Sequence, residues 1–176
     1  MKRFAIGCAV FLMAVGIPAA AEMWETPYSA EDIREAWVQG FWLETSVKTA
    51  EGEQVERVEV AEWSSEGAVL TTGFGTATAS ESKEGSQFSV TWEQLRSHAL
   101  FDRANTTRRR ETRSTPLGTF EGWLFTKSTD EGQTEYFFAD DLPGPPVVFA
   151  QTGVDGEAIL LSVQVARHGI DPNSSP

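Results

Sequence analysis

The stretch YFFADDLPGPPVVFA, Tyr136 to Ala150, sets three prolines and two aspartates between two apolar runs. Both flanks read as strands. Thr134, Tyr136 and Phe138 alternate at the end of one, and Val147 and Phe149 begin the next. Pro143, Pro145 and Pro146 have no N–H to give to a ladder, so strand pairing must stop between the flanks. Leu142 and Gly144 each precede a proline and are pushed toward extended backbone. The expectation is a stiff corner between two strands. Pro143 and Pro146 spell P-x-x-P, but without a flanking basic residue the motif is a poor recognition ligand. Asp140 and Asp141 fall short of the six to eight oxygen ligands that calcium requires.

Outward from this corner the same alternation recurs. Phe41, Leu43, Thr45 and Val47 alternate with Trp42, Glu44, Ser46 and Lys48, as in a half-buried strand. Thr119–Lys127 carries Phe120, Leu124 and Thr126 on one face and Trp123 and Phe125 on the other. Ala158–Ala166 forms an apolar side from Ile159, Leu161, Val163 and Val165. Turn signals stand between the runs at Glu51-Gly52, Glu66-Gly67, Glu84-Gly85, Asp130-Glu131-Gly132 and Asp155-Gly156. Connections this short join antiparallel neighbours and not parallel crossovers. Two short helices interrupt the pattern. Ser29 with Asp32 opens one through about Ala36, and Thr91 with Gln94 is a capping box for a second, whose Trp92, Leu95 and Ala99 share a face to be laid on the sheet. The predicted fold is mainly β: a single antiparallel curved sheet or half-barrel with one or two short helices.

Residues 1–21 read as a secretory signal. Lys2 and Arg3 are followed by the apolar run Phe4–Ile17, too short to span a bilayer comfortably, and by Ala19-Ala20-Ala21. Cleavage would leave Glu22 as the N-terminus, residues 22–167 as one antiparallel β domain and 168–176 as a flexible tail. Acylation at Cys8 is disfavoured because only Phe4 to Gly7 would precede it as the apolar segment. Removal of the signal takes the single cysteine with it, which excludes disulfides, thiolate nucleophiles and Cys-ligated metals from the mature chain. About 155 residues remain, enough to bury a core without staples. All six tryptophans lie in that part. The formal charge of the whole chain is −12, and loss of Lys2 and Arg3 makes the acid excess larger, so phosphate backbones and anionic headgroups are repelled. Nucleic acid is not an expected partner, no transmembrane segment is expected in the mature chain, and the location expected is periplasmic or extracellular.

Catalytic constellations are scarce. His98, Ser97 and Asp102 supply the letters of a triad without a nucleophile elbow, and His168 stands apart. Two distant histidines without H-x-H or H-E-x-x-H spacing do not make a zinc site. Gly73-Phe74-Gly75 has neither a third glycine nor a following helix, and reads as a bulged or tightly packed strand. Asn105 and Asn173 begin glycosylation sequons that discriminate nothing. No cofactor, metal ligand set or catalytic residue is expected.

NTTRRRETRST, Asn105–Thr115, contains no apolar residue. As a strand it puts Arg108, Arg110 and Thr112 on one face and Arg109, Glu111 and Arg113 on the other. Charge on an exposed edge strand discourages pairing with other chains. The functional alternative is an anion or carboxylate site, with Arg108, Arg110 and Arg113 as candidate binding residues.

TWEQLRSHALF (91–101), TPLGTFEGWLF (115–125) and YFFADDLPGPPV (136–147) together resemble a group of exported bacterial β-rich proteins of unknown function. These are similar, more distantly, to the half-barrel lipoprotein-localisation carriers. The resemblance implies an exported protein in which a curved sheet wraps a helix and shelters lipid chains; it supplies no functional residues. The leading functional expectation is a non-enzymatic envelope protein whose curved sheet holds a lipid, another apolar ligand or a partner segment. An interaction or envelope-assembly module working through the Arg108–Arg113 strand, with an envelope protein as partner, is the second. A hydrolase using Asp140, Asp141 or Glu121 is the third.

Overall fold

The computed structural model describes residues 22–49, 52–75 and 83–171. The expected signal and the end of the expected tail lie outside them, as do the side chains of 159–167. The chain runs α1 (Ala30–Ala36), β1 (Phe41–Thr49), β2 (Gly52–Trp63), β3 (Gly67–Gly75), β4 (Lys83–Thr91), α2 (Trp92–Ser97), β5 (Thr106–Thr115), β6 (Gly118–Thr129), β7 (Gly132–Ala139), β8 (Val148–Gly153) and β9 (Ala158–Ile170). It is mainly β with two short helices, as the alternation and the short turns indicate.

All strand pairs are antiparallel. They fall into two meanders, β1–β4 with four strands and β5–β9 with five, which pair along β1 and β9 in the order β4-β3-β2-β1-β9-β8-β7-β6-β5. This corrects the expectation of a single antiparallel curved sheet or half-barrel: the strands form a four-stranded and a five-stranded antiparallel unit, and the register slips at Glu44/Thr45 on the seam and twice more between β8 and β9. The five-stranded meander is rolled. Cα atoms of β5 and β9 approach within 8 Å, although a flat sheet would separate strands four places apart by about 19 Å. The expected turn at Glu51-Gly52 lies partly outside the described residues, and among these residues turn chemistry misleads at Glu84-Gly85. Both residues lie inside β4, and a Cβ on Gly85 would stand 2.1 Å from the Thr72 carbonyl oxygen. The glycine marks a close strand approach beside the slip at Thr71/Gly73 and not a reversal. Gly73 and Gly75 belong to β3 at that same slip. The expected tail also begins too early, because His168, Gly169 and Ile170 continue β9 opposite Leu43, Trp42 and Phe41.

Strands β4 and β5 are the two outer edges, and α2 with the segment after it carries the chain from one to the other. Both helices open on capping boxes, Ser29 with Asp32 and Thr91 with Gln94. Ile33, Trp37, Trp92, Leu95, Ala99 and Phe101 are buried against Phe41, Leu43, Val58, Val60, Leu70 and Val90, which share one sheet face by register. In β6 and β7 both faces are closed. Phe125 and Phe138 meet the Phe101 ring, while Leu124 and Phe137, on the opposite face, are also fully buried without a helix to cover them. The roll of the meander accounts for that second layer.

Candidate functional site

The corner at 140–147 is tied down by the helical segment. The Tyr28 hydroxyl donates to the Ala139 carbonyl, and the Trp37 indole N–H donates to the Pro143 carbonyl at 2.9 Å. Burial pushes the Tyr28 phenol well above its ordinary pKa, and Asp140 and Asp141 add to this through their charge. Backbone bonds from Asp140 to Glu121 (2.9 Å) and from Val147 to Phe137 (2.8 Å) complete it. Residues 140–147 are therefore a docking corner for α1.

One residue of that corner reaches the arginine strand. Asp140 accepts from Arg110 through both oxygens, Nη1 to Oδ1 at 2.8 Å and Nη2 to Oδ2 at 2.5 Å. Its hydrogen bonds hold the Arg110 guanidinium above its ordinary pKa. On the other face of β5, Glu111 lies between Arg109 (2.7 Å) and Arg113 (2.5 Å), and Arg113 continues to Glu135 at 2.8 Å. Burial alone would push Glu111 up; hydrogen bonds from Arg113 and Arg109 outweigh it and hold the carboxyl below its ordinary range. The three candidate arginines are thus not convergent. Arg113 is on the face opposite Arg108 and Arg110, and both Arg110 and Arg113 are already matched by carboxylates of the chain.

Arg108 differs. Its guanidinium lies 3.6 Å from the Trp123 ring centroid, 5.5 Å from that of Phe125 and 6.0 Å from that of Trp24. Its Nε is enclosed without a hydrogen-bond partner, and no carboxylate among the described residues reaches it as an ion pair. Burial lowers its pKa; Glu25 attracts it through space, and Arg103 and Arg110 repel it. Trp24 is held by its indole N–H on the Thr106 carbonyl (2.9 Å) and lies under Arg103 at 4.4 Å, which in turn pairs with Glu22. Reading along the sequence missed Trp24, Trp123 and Arg103 as neighbours of Arg108, because Trp24 and Thr106 are 82 residues apart.

The triad letters do not assemble. The Ser97 hydroxyl donates to the Gln94 carbonyl at 2.6 Å, His98 caps α2, and the Asp102 carboxylate accepts from the Ala104 N–H at 2.8 Å. His168 is exposed on β9, its ring 6.3 Å from that of Phe41. Among the described residues no three His, Cys, Asp or Glu side chains gather as a metal site would need, and no helix is long and apolar enough to cross a membrane. Grooves open to solvent among the described residues. One of about 340 Å³ lies between Trp63, Val69, Val90 and Gln94, and one of about 470 Å³ lies between Glu25, Tyr28, Glu93 and Arg96.

No protein-family model matches the chain, and no curated protein matches it. Solved structures do. MucB superposes with a TM-score of 0.53 at 12% identity, over 83% of this chain and 58% of that one. The chain is similar in fold to MucB. In the Pseudomonas aeruginosa MucA/MucB complex the corresponding values are 0.52, 11%, 84% and 58%, so this chain spans a little over half of MucB's length. Two more distant likenesses are an exported Bacteroides fragilis protein with a YmcC-like fold (TM-score 0.47, 13% identity, 75% of this chain and 96% of that one) and a Vibrio parahaemolyticus outer-membrane lipoprotein-sorting domain (0.29, 8%, 83% and 92%). The resemblance read in the sequence stands as a distant one of fold alone, carried by the two MucB superpositions.

Proposed function

We propose that this chain is a non-enzymatic, exported envelope protein that binds a partner polypeptide segment on its rolled sheet. The observation that supports it is the contrast between a filled face and an open edge. The helix-bearing face, where a carrier would lodge an apolar ligand, is occupied by the chain's own Tyr28, Trp37, Phe101, Phe125 and Phe138, whereas the terminal strand β5 keeps Arg110, Thr112 and Ser114 exposed. The complex of MucB with MucA offers a precedent for a protein partner on a similar fold. A carboxylate hydrolase is less well supported, since Asp140 is engaged by Arg110.

The test is gentle purification of the native protein from its envelope after cross-linking, with lipid extraction and peptide mass spectrometry on the same sample. A cross-linked polypeptide with no stoichiometric lipid is expected. Stoichiometric lipid without a cross-linked polypeptide would replace this reading with an apolar-ligand carrier.

A further inference from the structure

We infer that β5 is the docking edge for an extended acidic polypeptide segment, which adds to the sheet as a further strand and sets a carboxylate against Arg108. This rests on the reading of the chain as a polypeptide-binding protein and specifies where and by what chemistry it binds.

The free edge can be assigned residue by residue. Peptide groups alternate sides along a strand. The Asn105 carbonyl accepts from Ser128 on the β6 side, whereas the Thr106 carbonyl accepts from the Trp24 indole. Thr115 and Gly118 close the hairpin around Pro116 and Leu117. Odd-numbered residues therefore bond to β6, and Arg108, Arg110, Thr112 and Ser114 turn their N–H and C=O groups to the open side. β9 approaches β5 but forms no ladder with it. The strand is 10 residues long, enough to template a partner strand.

Charge then selects the occupant. Arg109, Arg110 and Arg113 are each ion-paired, to Glu111, Asp140 and Glu135, whereas Arg108 is stacked on Trp123 with no ion pair to a carboxylate of the described residues. Stacking fixes the guanidinium plane, and a planar, half-desolvated guanidinium pairs most strongly with a carboxylate. A second copy of the chain is a poor occupant, because two β5 edges laid together would oppose arginine to arginine. An acidic strand instead brings a carboxylate to the unpaired Arg108 guanidinium, and its main-chain groups meet those of Arg108, Arg110 and Thr112.

The experiment uses a capped synthetic peptide as long as β5 in which Glu alternates with Val and Thr, titrated against the mature protein by calorimetry. Two control peptides replace Glu by Gln or carry N-methyl groups on alternate peptide nitrogens. Two protein variants are compared. Arg108→Gln removes the cation, and Thr112→Pro removes an N–H that faces the open edge while leaving every bond to β6. Binding of the Glu peptide is expected, with about a tenfold loss for Arg108→Gln or the Gln peptide and complete loss for Thr112→Pro or the N-methylated peptide. If Arg108→Gln disturbs folding by circular dichroism, Thr112→Pro and the peptide controls decide. Equal binding to Thr112→Pro, or no binding of the Glu peptide to the unmodified protein, overturns the proposal. A polypeptide still cross-linked in the envelope would then keep the broader reading and move the contact to another surface.

Discussion

Gly118 and Gly144 share a backbone angle and differ in what surrounds them, which makes them a matched pair. Each has φ +137°, a region that residues with a Cβ rarely occupy and that costs about 1–3 kcal/mol to enforce. A Cβ on Gly118 would meet nothing within 4 Å, so Gly118→Ala should lose that backbone cost alone. A Cβ on Gly144 would stand 2.9 Å from both Cζ2 and Nε1 of Trp37. The indole has nowhere to go: it is 2% exposed, packs 5.1 Å from the Phe41 ring, and gives its N–H to Pro143, the residue beside the substitution. Moving it leaves a buried donor unsatisfied, a further ~1–3 kcal/mol. Gly144→Ala is therefore expected to destabilise by about 2–6 kcal/mol and Gly118→Ala by less. At about 2–4 °C per kcal/mol for a domain of this size, the two melting temperatures should separate by several degrees. Urea unfolding followed by tryptophan emission and circular dichroism measures both, with equal m-values as the check that only stability changed. Unfolding free energies within about 0.5 kcal/mol of each other would refute the claim that the corner is a docking surface for Trp37.

Phe101→Ala should cost about 3–5 kcal/mol, because its ring is 7% exposed and lies 4.6 Å from that of Phe125 and 4.9 Å from that of Tyr136; a loss under half of that in urea unfolding would mean that the segment between α2 and β5 is not part of the core. Hydrogen bonds from Ser29 lower the Asp32 carboxyl, and Arg96 lowers Glu93, so with Glu111 these groups stabilise the fold above the ordinary carboxylate pKa of about 4, and that contribution is lost as pH falls through their lower folded values. Glu56 has the opposite sign: burial raises its pKa, so its contribution is present below the unfolded value and lost as pH rises through the folded one. Glu56→Gln should therefore be more stable than the parent at neutral pH, with the gain shrinking toward pH 4; a gain that does not change across a urea midpoint titration over that range would be the contrary result.

Local structure was legible from residues that are neighbours in the chain. Period-two runs made β1, β6 and β9, capping boxes opened α1 and α2, and three prolines ended the ladder between β7 and β8, because each depends on residues only a few positions apart. The sequence also exposed the arginine strand as unusual. What it left undecided needs partners that are remote along the chain. Glu84-Gly85 read as a turn because the Thr72 carbonyl that requires the glycine is invisible from its neighbours. Both layers of β6 and β7 are buried because the five-stranded meander rolls until β5 approaches β9, a consequence of bulges and twist and not of any single strand's alternation. The four arginines looked alike as letters. Tertiary structure separated them, since a guanidinium's role is set by whether a carboxylate lies within reach: Asp140, Glu111 and Glu135 close three, and Trp123 and Trp24, which carry no charge, surround the fourth.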